Sequence, residues 1–488
     1  MNFALDVVES APAERLALVE LDRDGRRREW TFGQVADRSA RLAGTFTSHN
    51  VRRRDVVLTL IGNRPEWVFT MVACFRIGAI ALPCNEQLRA NDLRRRIEVA
   101  HPKLIVADER NTSELGAARP DCPTLTIPDE SLFASSQPAP AAELKPTDPC
   151  LITFTSGTTG EPRGVVHGQR YLPGQRLQAE HWLGARPGDL VWCTAASGWS
   201  KSARNVFIAP WLGGAAALLH DVRFDPAQRL DVLRTERVSV LCMAPTEYRL
   251  IAKRATLSPM PALRTLVAAG EALNPEVLLV FREGTGLDIR DGYGQTETGQ
   301  LTGMPIGEPV RPGSMGRPLP GVNLEIEDGE LVLQDPATDP TFFVARLDGA
   351  PAPSNEPWRT GDRVTEDEDG YLYFEGRNDD LIISSGYRIG PFEVESALVS
   401  HRAVAEAAVV AAPDEERGSV VRAVVVLRDG FAPTDDLATE LQEHVKHRTA
   451  PYKYPRIVEF ARELPKTASG KIRRAALRAG GTARAPLG

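Results

Sequence analysis

The sequence has no uninterrupted apolar run near the roughly 18 residues a membrane helix needs, which argues against a membrane-spanning protein. It has no excess of positive charge. The formal net charge is −7, so nothing electrostatic marks nucleic acid as the main partner. Its six cysteines (Cys74, Cys84, Cys122, Cys150, Cys193, Cys242) are scattered, with no Cys-x-x-Cys pair. That fits reduced thiols in a cytosolic enzyme better than a disulfide frame or a zinc site. The start, MNFALDVVESAPAERLALVE, carries acids early and lacks the basic-then-apolar layout of a secretory signal. No internal repeat stands out, and no low-complexity segment is long enough for a disordered arm. These absences predict a cytoplasmic, soluble protein, monomer or homodimer, with neither nucleic acid nor membrane as a partner.

What is present is ordinary in amount and informative in order. At 488 residues the chain exceeds what one core supports, so two or more domains are expected. The runs Arg26–Arg28, Arg52–Arg54 and Arg94–Arg96 are short and interleaved with acids, and they read as solvated faces. Short apolar segments alternate with helical patterns through the first three quarters. Val56–Ile61, Leu104–Ala107, Leu151–Phe154, Leu190–Thr194, Ala215–Leu219, Val238–Cys242 and Leu266–Ala269 read as buried strands of a layered α/β fold. Thr31 with Gln34 has capping-box spacing, and Asn274 before Pro275 is an N-cap signal. Near residue 375 the pattern becomes smaller. A helix at Pro391–Ser400, strands at Ala405–Val410 and Val420–Leu427, a helix from Thr434 to His447 and a strand at Ile457–Phe460 make a compact α+β unit.

Four stretches carry chemistry. In "TFTSGTTGEPRGVVH", 153–167, Gly157, Gly160 and Gly164 allow close approach of backbone. Thr155, Ser156, Thr158 and Thr159 supply hydroxyls, and Arg163 a fixed charge. Such a loop is either a flexible tether or a cradle for phosphates; no Gly-Lys-Ser/Thr closes it, so it is not a Walker A loop. In "DGYGQTETG", 291–299, Tyr293 offers a flat face for a base, Thr296 a hydroxyl for a phosphate, and Glu297 a carboxylate suited to Mg²⁺; a plain turn is the alternative. Gly270 in "AAGEAL" follows a strand, where backbone can lie against a planar ring. Asp362 and Arg377, a short hairpin apart, are either a turn acid and a surface cation or a joint hold on two ribose hydroxyls. Lys471 in "LPKTASGKIRR" follows a small Ser-Gly pair, from which a compact cation on a long stem is deliverable to developing negative charge.

In this order, these stretches resemble the adenylate-forming superfamily of acyl-CoA synthetases, adenylation domains and luciferases, from Thr31 to Arg474. "GYGQTETG", "SSGYRIGPFEVESAL", "RGSVVRAVVVL" and "HVKHRTAPYKYPRIVEF" are most similar to the medium-chain acyl-CoA synthetase branch. The resemblance implies an N-terminal adenylating domain, 1–377, of layered β-sheets and helices plus a small barrel-like part. A C-terminal α+β lid, 378–488, would follow, with its hinge near Asp379. It implies ATP, Mg²⁺ and CoA, a carboxylic acid substrate, and two half-reactions: acyl-adenylate and pyrophosphate form first, then CoA displaces AMP. By position, 155–160 and Arg163 would hold the β- and γ-phosphates, Thr296 and Glu297 the α-phosphate and Mg²⁺. Gly270, Glu271, Ala272, Asp291, Gly292, Tyr293, Gly294 and Gln295 would frame the nucleotide, Asp362 and Arg377 its ribose. Lys471 would act in the first step only. After rotation of the lid, Ser384, Ser385, Gly386 and Tyr387 would line the CoA path, with Arg388 near the AMP phosphate. The Pro465–Lys471 spacing further implies a lysine acetyltransferase and deacetylase acting on Lys471.

The sequence departs from the superfamily pattern at Arg163, where the loop commonly ends in Pro-Lys-Gly; Arg exchanges a point cation for a planar fork. Acetate-specific relatives carry Trp where this chain has Gly294, so the resemblance implies an acyl pocket open to a medium-chain or an aryl or branched acid. The segment 195–214 would wall that pocket, with Trp199 flanking the acyl group. Lys201 is either a surface lysine or a contact to substrate or phosphate. An acyl-AMP ligase that loads a carrier protein, or a non-catalytic nucleotide-binding relative, would share much of the pattern.

Overall fold

The computed structural model describes every residue except 135–136, 157–161, 272, 274, 354, 386, 467–471 and 481–488. Asn274, Gly157, Thr158, Thr159, Gly160, Ala272, Gly386 and Lys471 therefore lie outside the described residues, as does the side chain of Ser156.

Among the described residues, two seven-stranded, mainly parallel sheets make up most of the chain up to residue 377. One runs in the order Ile289–Gly292, Thr265–Ala269, Val240–Met243, Leu190–Cys193, Ala216–His220, Leu16–Leu21, Arg27–Thr31. The other runs Ala345–Arg346, Pro162–Gly168, Pro149–Ser156, Ile80–Pro83, Val56–Leu60, Leu104–Asp108, Thr124–Ile127. Strands covered on both faces are uniformly apolar rather than alternating, and Leu104–Asp108 and Thr265–Ala269 are buried along their whole length. The largest hydrophobic cluster fills the space between the sheets, with Trp67, Phe207 and Trp211 packed edge-on or tilted at 5.0–5.6 Å. Burying each such ring contributes about 1.5–3 kcal/mol.

Helix Phe32–Ser48 begins at the cap its sequence predicts. The Thr31 hydroxyl accepts from Gln34 N, and the Gln34 side chain accepts from Thr31 N. The barrel-like part takes the form of a four-stranded antiparallel sheet, Leu324–Glu327, Glu330–Leu333, Trp358–Glu366 and Leu372–Arg377. After the short turn Asn378–Asp380 comes a hairpin, Ile382–Ser384 with Tyr387–Ile389. The strands Val404–Asp414, Gly418–Leu427 and Ile457–Phe460 then form a sheet of their own. The apolar clusters under that sheet draw only on residues from 382 onward, so this part has its own core.

Arg474 and Arg478, on the helix Arg474–Arg478, return to the segment after residue 377. Arg474 meets both oxygens of the buried Glu395 at 2.7 Å, and Arg478 meets Asp380 at 2.9 Å and the Asp379 carbonyl at 3.0 Å.

Candidate active site

Asp362 gathers the best-formed constellation. It lies in the strand Trp358–Glu366, is 4 % exposed, and stands directly opposite Arg377 in the antiparallel ladder with Leu372–Arg377. Arg377 Nη1 is 3.3 Å from Asp362 Oδ1. On the other oxygen, Gln295 Nε2 donates at 2.8 Å and the Tyr293 hydroxyl donates a short hydrogen bond. Gln295 is held in turn by the Thr360 carbonyl at 2.7 Å and by Trp358 Nε1 at 3.1 Å. Burial, and then the Asp362 carboxylate, push the Tyr293 phenol well above its ordinary value, so Tyr293 stays a donor. Three residues named from sequence thus meet around the carboxylate of a fourth.

Glu297 is half-buried, and its Oε1 is 3.0 Å from Arg346 Nη1. Arg346 sits over the rings of Phe343 and Trp358, at 4.8 and 5.8 Å, which orients the guanidinium. No group of three or more His, Cys, Asp or Glu gathers to cage a metal among the described residues. Mg²⁺ seldom uses such a cage: one carboxylate plus substrate phosphates is its usual set, and Glu297 fits that requirement. Sequence reasoning missed Arg346 and Trp358. Arg346 lies in no motif, while Trp358 opens the very stretch that supplied Asp362.

The 153–167 stretch is more ordered at its edges than a loop reading implies. Pro149–Ser156 and Pro162–Gly168 form an antiparallel ladder in which Thr155 pairs with Arg163. The Thr155 hydroxyl donates to the Arg163 carbonyl at 3.3 Å, and Arg163 itself is exposed. The Gly270 turn departs more from expectation. Gly270 has φ +106, and Lys201 Nζ stands where a Cβ on it would fall, donating to the Ala269 carbonyl. Lys201 is half-buried, not a surface lysine. Glu271 accepts from Thr246 at 2.7 Å and Arg249 at 2.8 Å. Asp291 accepts from Gly292 N at 2.8 Å, and burial pushes its carboxyl up to about 7.

Gly294 has a local reason to be glycine. A Cβ there would collide with the Gly299 carbonyl and come within 2.9 Å of Gln300 Cα, its ladder partner. The space beside Gly294 is therefore filled by its own hairpin, and a bulky residue would have to open that hairpin. Trp199 is half-buried in a turn closed by Ser202, whose hydroxyl donates to the Trp199 carbonyl at 2.8 Å.

The residues expected to line the CoA path form a separate group. Ser384 pairs with Tyr387 across the hairpin, and Ser385 has φ +48 with its N donating to the Arg417 carbonyl at 3.1 Å. Tyr387 is 52 % exposed and stacks on Tyr452, with centroids 4.3 Å apart and planes 18° off parallel. Arg388 is exposed.

A family model described as "AMP-binding enzyme" matches residues 6–337, and one described as "AMP-binding enzyme C-terminal domain" matches 393–471. This chain belongs to the AMP-binding enzymes. YtcI of Bacillus subtilis, an uncharacterised acyl-CoA ligase, is 39 % identical over 499 residues, covering 96 % of this chain and 94 % of its own. Human mitochondrial acyl-coenzyme A synthetase ACSM4 is 38 % identical over 522 residues, covering 98 % and 90 %. The crystal structure of the anthranilate CoA ligase AuaEII with anthranoyl-AMP superposes with a TM-score of 0.88. It is 27 % identical and covers 99 % of this chain and 97 % of its own. No helix in the described residues is long and apolar enough to cross a membrane.

Proposed function

We propose that this chain is an AMP-forming acyl-CoA ligase: ATP and a carboxylic acid give an acyl-adenylate and pyrophosphate, and CoA then displaces AMP to give the thioester. The observation that carries the reading is the convergence of Tyr293, Gln295 and Arg377 on Asp362, in a chain of the AMP-binding family.

Asp362 and Arg377 would hold the ribose, a carboxylate and a guanidinium each facing one hydroxyl. The Tyr293 ring and the Gly270–Glu271 turn would frame the base. Attack of a carboxylate on a phosphate brings like charges together, so donors fixed in place before reaction lower the barrier most. Thr155, Arg163 and Thr296 would supply donors at the phosphates, and Lys471 would bridge the carboxylate and α-phosphate in the first step. Glu297 would hold Mg²⁺, which supplies charge neutralisation at the phosphates when bound. For the second step, Ser384–Tyr387 would line the CoA path and Arg388 would face the AMP phosphate, after a rotation of the lid at Asp379 that removes Lys471. Gated closure of this sort lets one site serve two half-reactions. The substrate would be larger than acetate, a medium-chain, aryl or branched acid, and acetylation of Lys471 would stop the first half-reaction alone.

The test is a carboxylate series from C2 to C12 with benzoate-type acids, read by pyrophosphate release and by thioester formed with free CoA or with a carrier protein. Pyrophosphate release with thioester only on a carrier protein would sink the CoA reading. Release with none of these acids would sink the whole assignment.

A further inference from the structure

Arg204 opens the short helix Arg204–Ile208, five residues after Trp199, and is 2 % exposed. Its Nε has no hydrogen-bond partner, and among the described residues no carboxylate lies within ion-pair distance of its guanidinium. Around it stand neutral groups. Its charge acts on the Tyr171 phenol, on His167 and on Cys242. His167 is stacked at 4.0 Å on Tyr171, and burial, with Arg204 adding to it, pushes the imidazole down to about 3. The His167 Nδ1 and Asn205 Oδ1 atoms are also buried without partners. Lys201, three residues earlier, is answered differently: it donates to the Ala269 carbonyl and faces Asp291, and its charge reaches Cys193 and Cys242.

Cys193, Cys242, Ala269 and Asp291 lie at or next to the carboxyl ends of adjacent parallel strands, Leu190–Cys193, Val240–Met243, Thr265–Ala269 and Ile289–Gly292. In open α/β sheets this edge is where ligands bind. A guanidinium buried there with no anion is costly unless a negative group joins it. A neutral oxygen would satisfy its hydrogen bonds and leave its charge. Asn205, the next residue, donates to Cys242 Sγ at 3.9 Å and so brings this segment to that edge; one uncompensated cation there calls for one anion, which can arrive with the substrate.

We propose that Arg204 receives the distal carboxylate of a dicarboxylic acid, the proximal carboxylate being the one activated. Arg204 is then a specificity-determining residue, and Lys201 with Asp291 sets the polarity of the pocket beside it. This rests on the acyl-CoA ligase reading above and names its substrate class.

The experiment compares kcat/KM, by pyrophosphate release and CoA thioester formation, for dicarboxylic and monocarboxylic acids of equal carbon number from C4 to C10, and for 1,4-benzenedicarboxylate against benzoate. The wild-type enzyme should favour the dicarboxylate about 100-fold at its best length, as expected for pairing a desolvated charge. Arg204→Leu should lower the dicarboxylate-to-monocarboxylate ratio by about the same factor, and Arg204→Lys should restore part of it. Removing an unpaired buried charge should not lower the melting temperature. A wild-type enzyme that takes monocarboxylates with no preference for their dicarboxylate counterparts overturns the proposal and leaves the ligase reading intact. So does a ratio unchanged by Arg204→Leu, even with a lowered melting temperature. Activity with neither series defeats both readings at once.

Discussion

The residues around Asp362 and those around Ser385 are assigned to the same nucleotide and thioester chemistry, and they are built in opposite ways. Asp362 is buried, and Tyr293, Gln295 and Arg377 already spend their donors on it. Ser385, Tyr387 and Arg388 are exposed, on a hairpin anchored by the buried Ile382 and Ile389, and Tyr387 stacks on Tyr452. The difference teaches what each is for. A group that must bind a nucleotide in every turnover gains from being fixed beforehand. A group that must arrive late in the cycle has to remain solvated until it docks, and its positioning comes from the surface it meets.

The largest effect that would sharpen this contrast is at Lys471. Lys471→Ala should slow acyl-adenylate formation by about 10²–10³-fold while supplied acyl-adenylate is still converted with CoA. Equal loss in both half-reactions would break the contrast. Asp362→Ala comes next, with a loss of about 10²-fold in kcat/KM for ATP. It also leaves three donors without their acceptor, at about 1–3 kcal/mol of stability each at most, read as a fall in melting temperature. The third concerns pH. An unfolded histidine binds its proton below about 6.5, whereas His167 in the folded chain waits until about 3. Stability is therefore lost as pH falls from 6.5 toward 3, by up to about 1.4 kcal/mol per pH unit. His167→Gln should remove that slope in acid melts. His220, pushed down to about 4, keeps its own slope, and Asp291, raised to about 7, has one of opposite sign; both cancel when variant and parent are subtracted. Smallest is Tyr387→Ala, which should raise KM for CoA by about 2- to 10-fold through loss of the stack on Tyr452. An effect on pyrophosphate release of the same size would show that the hairpin is not confined to the second step.

The strands were legible because burial on both faces writes itself as an apolar run: Leu266–Ala269 as read from sequence and Thr265–Ala269 as observed differ by one residue. The capping box at Thr31 was legible because its partners are three residues apart. Asp362 and Arg377 were legible as a pair because a hairpin joins them. Arg346 beside Glu297 was not, since 49 residues separate the two and no local pattern marks the contact. The destinations of Lys201 and Arg204 were hidden for the same reason: sequence shows a cation and leaves open whether an acid waits for it. Gly294 has a local account that the sequence hid, since a side chain there would meet the Gly299 carbonyl.

Arg377 is the last residue of its strand, and the turn Asn378–Asp380 follows without a spacer. On the proposed reading, a nucleotide that grips Arg377 would grip the pivot. Torque on the lid would alter the geometry of the sugar clamp, and occupancy of the clamp would bias the lid. Thermodynamic linkage makes the two effects equal: whatever factor a bound nucleotide imposes on the lid equilibrium, the lid imposes on nucleotide affinity. Release of AMP and return of the lid would then be one coupled event, and an enzyme slow in one should be slow in the other.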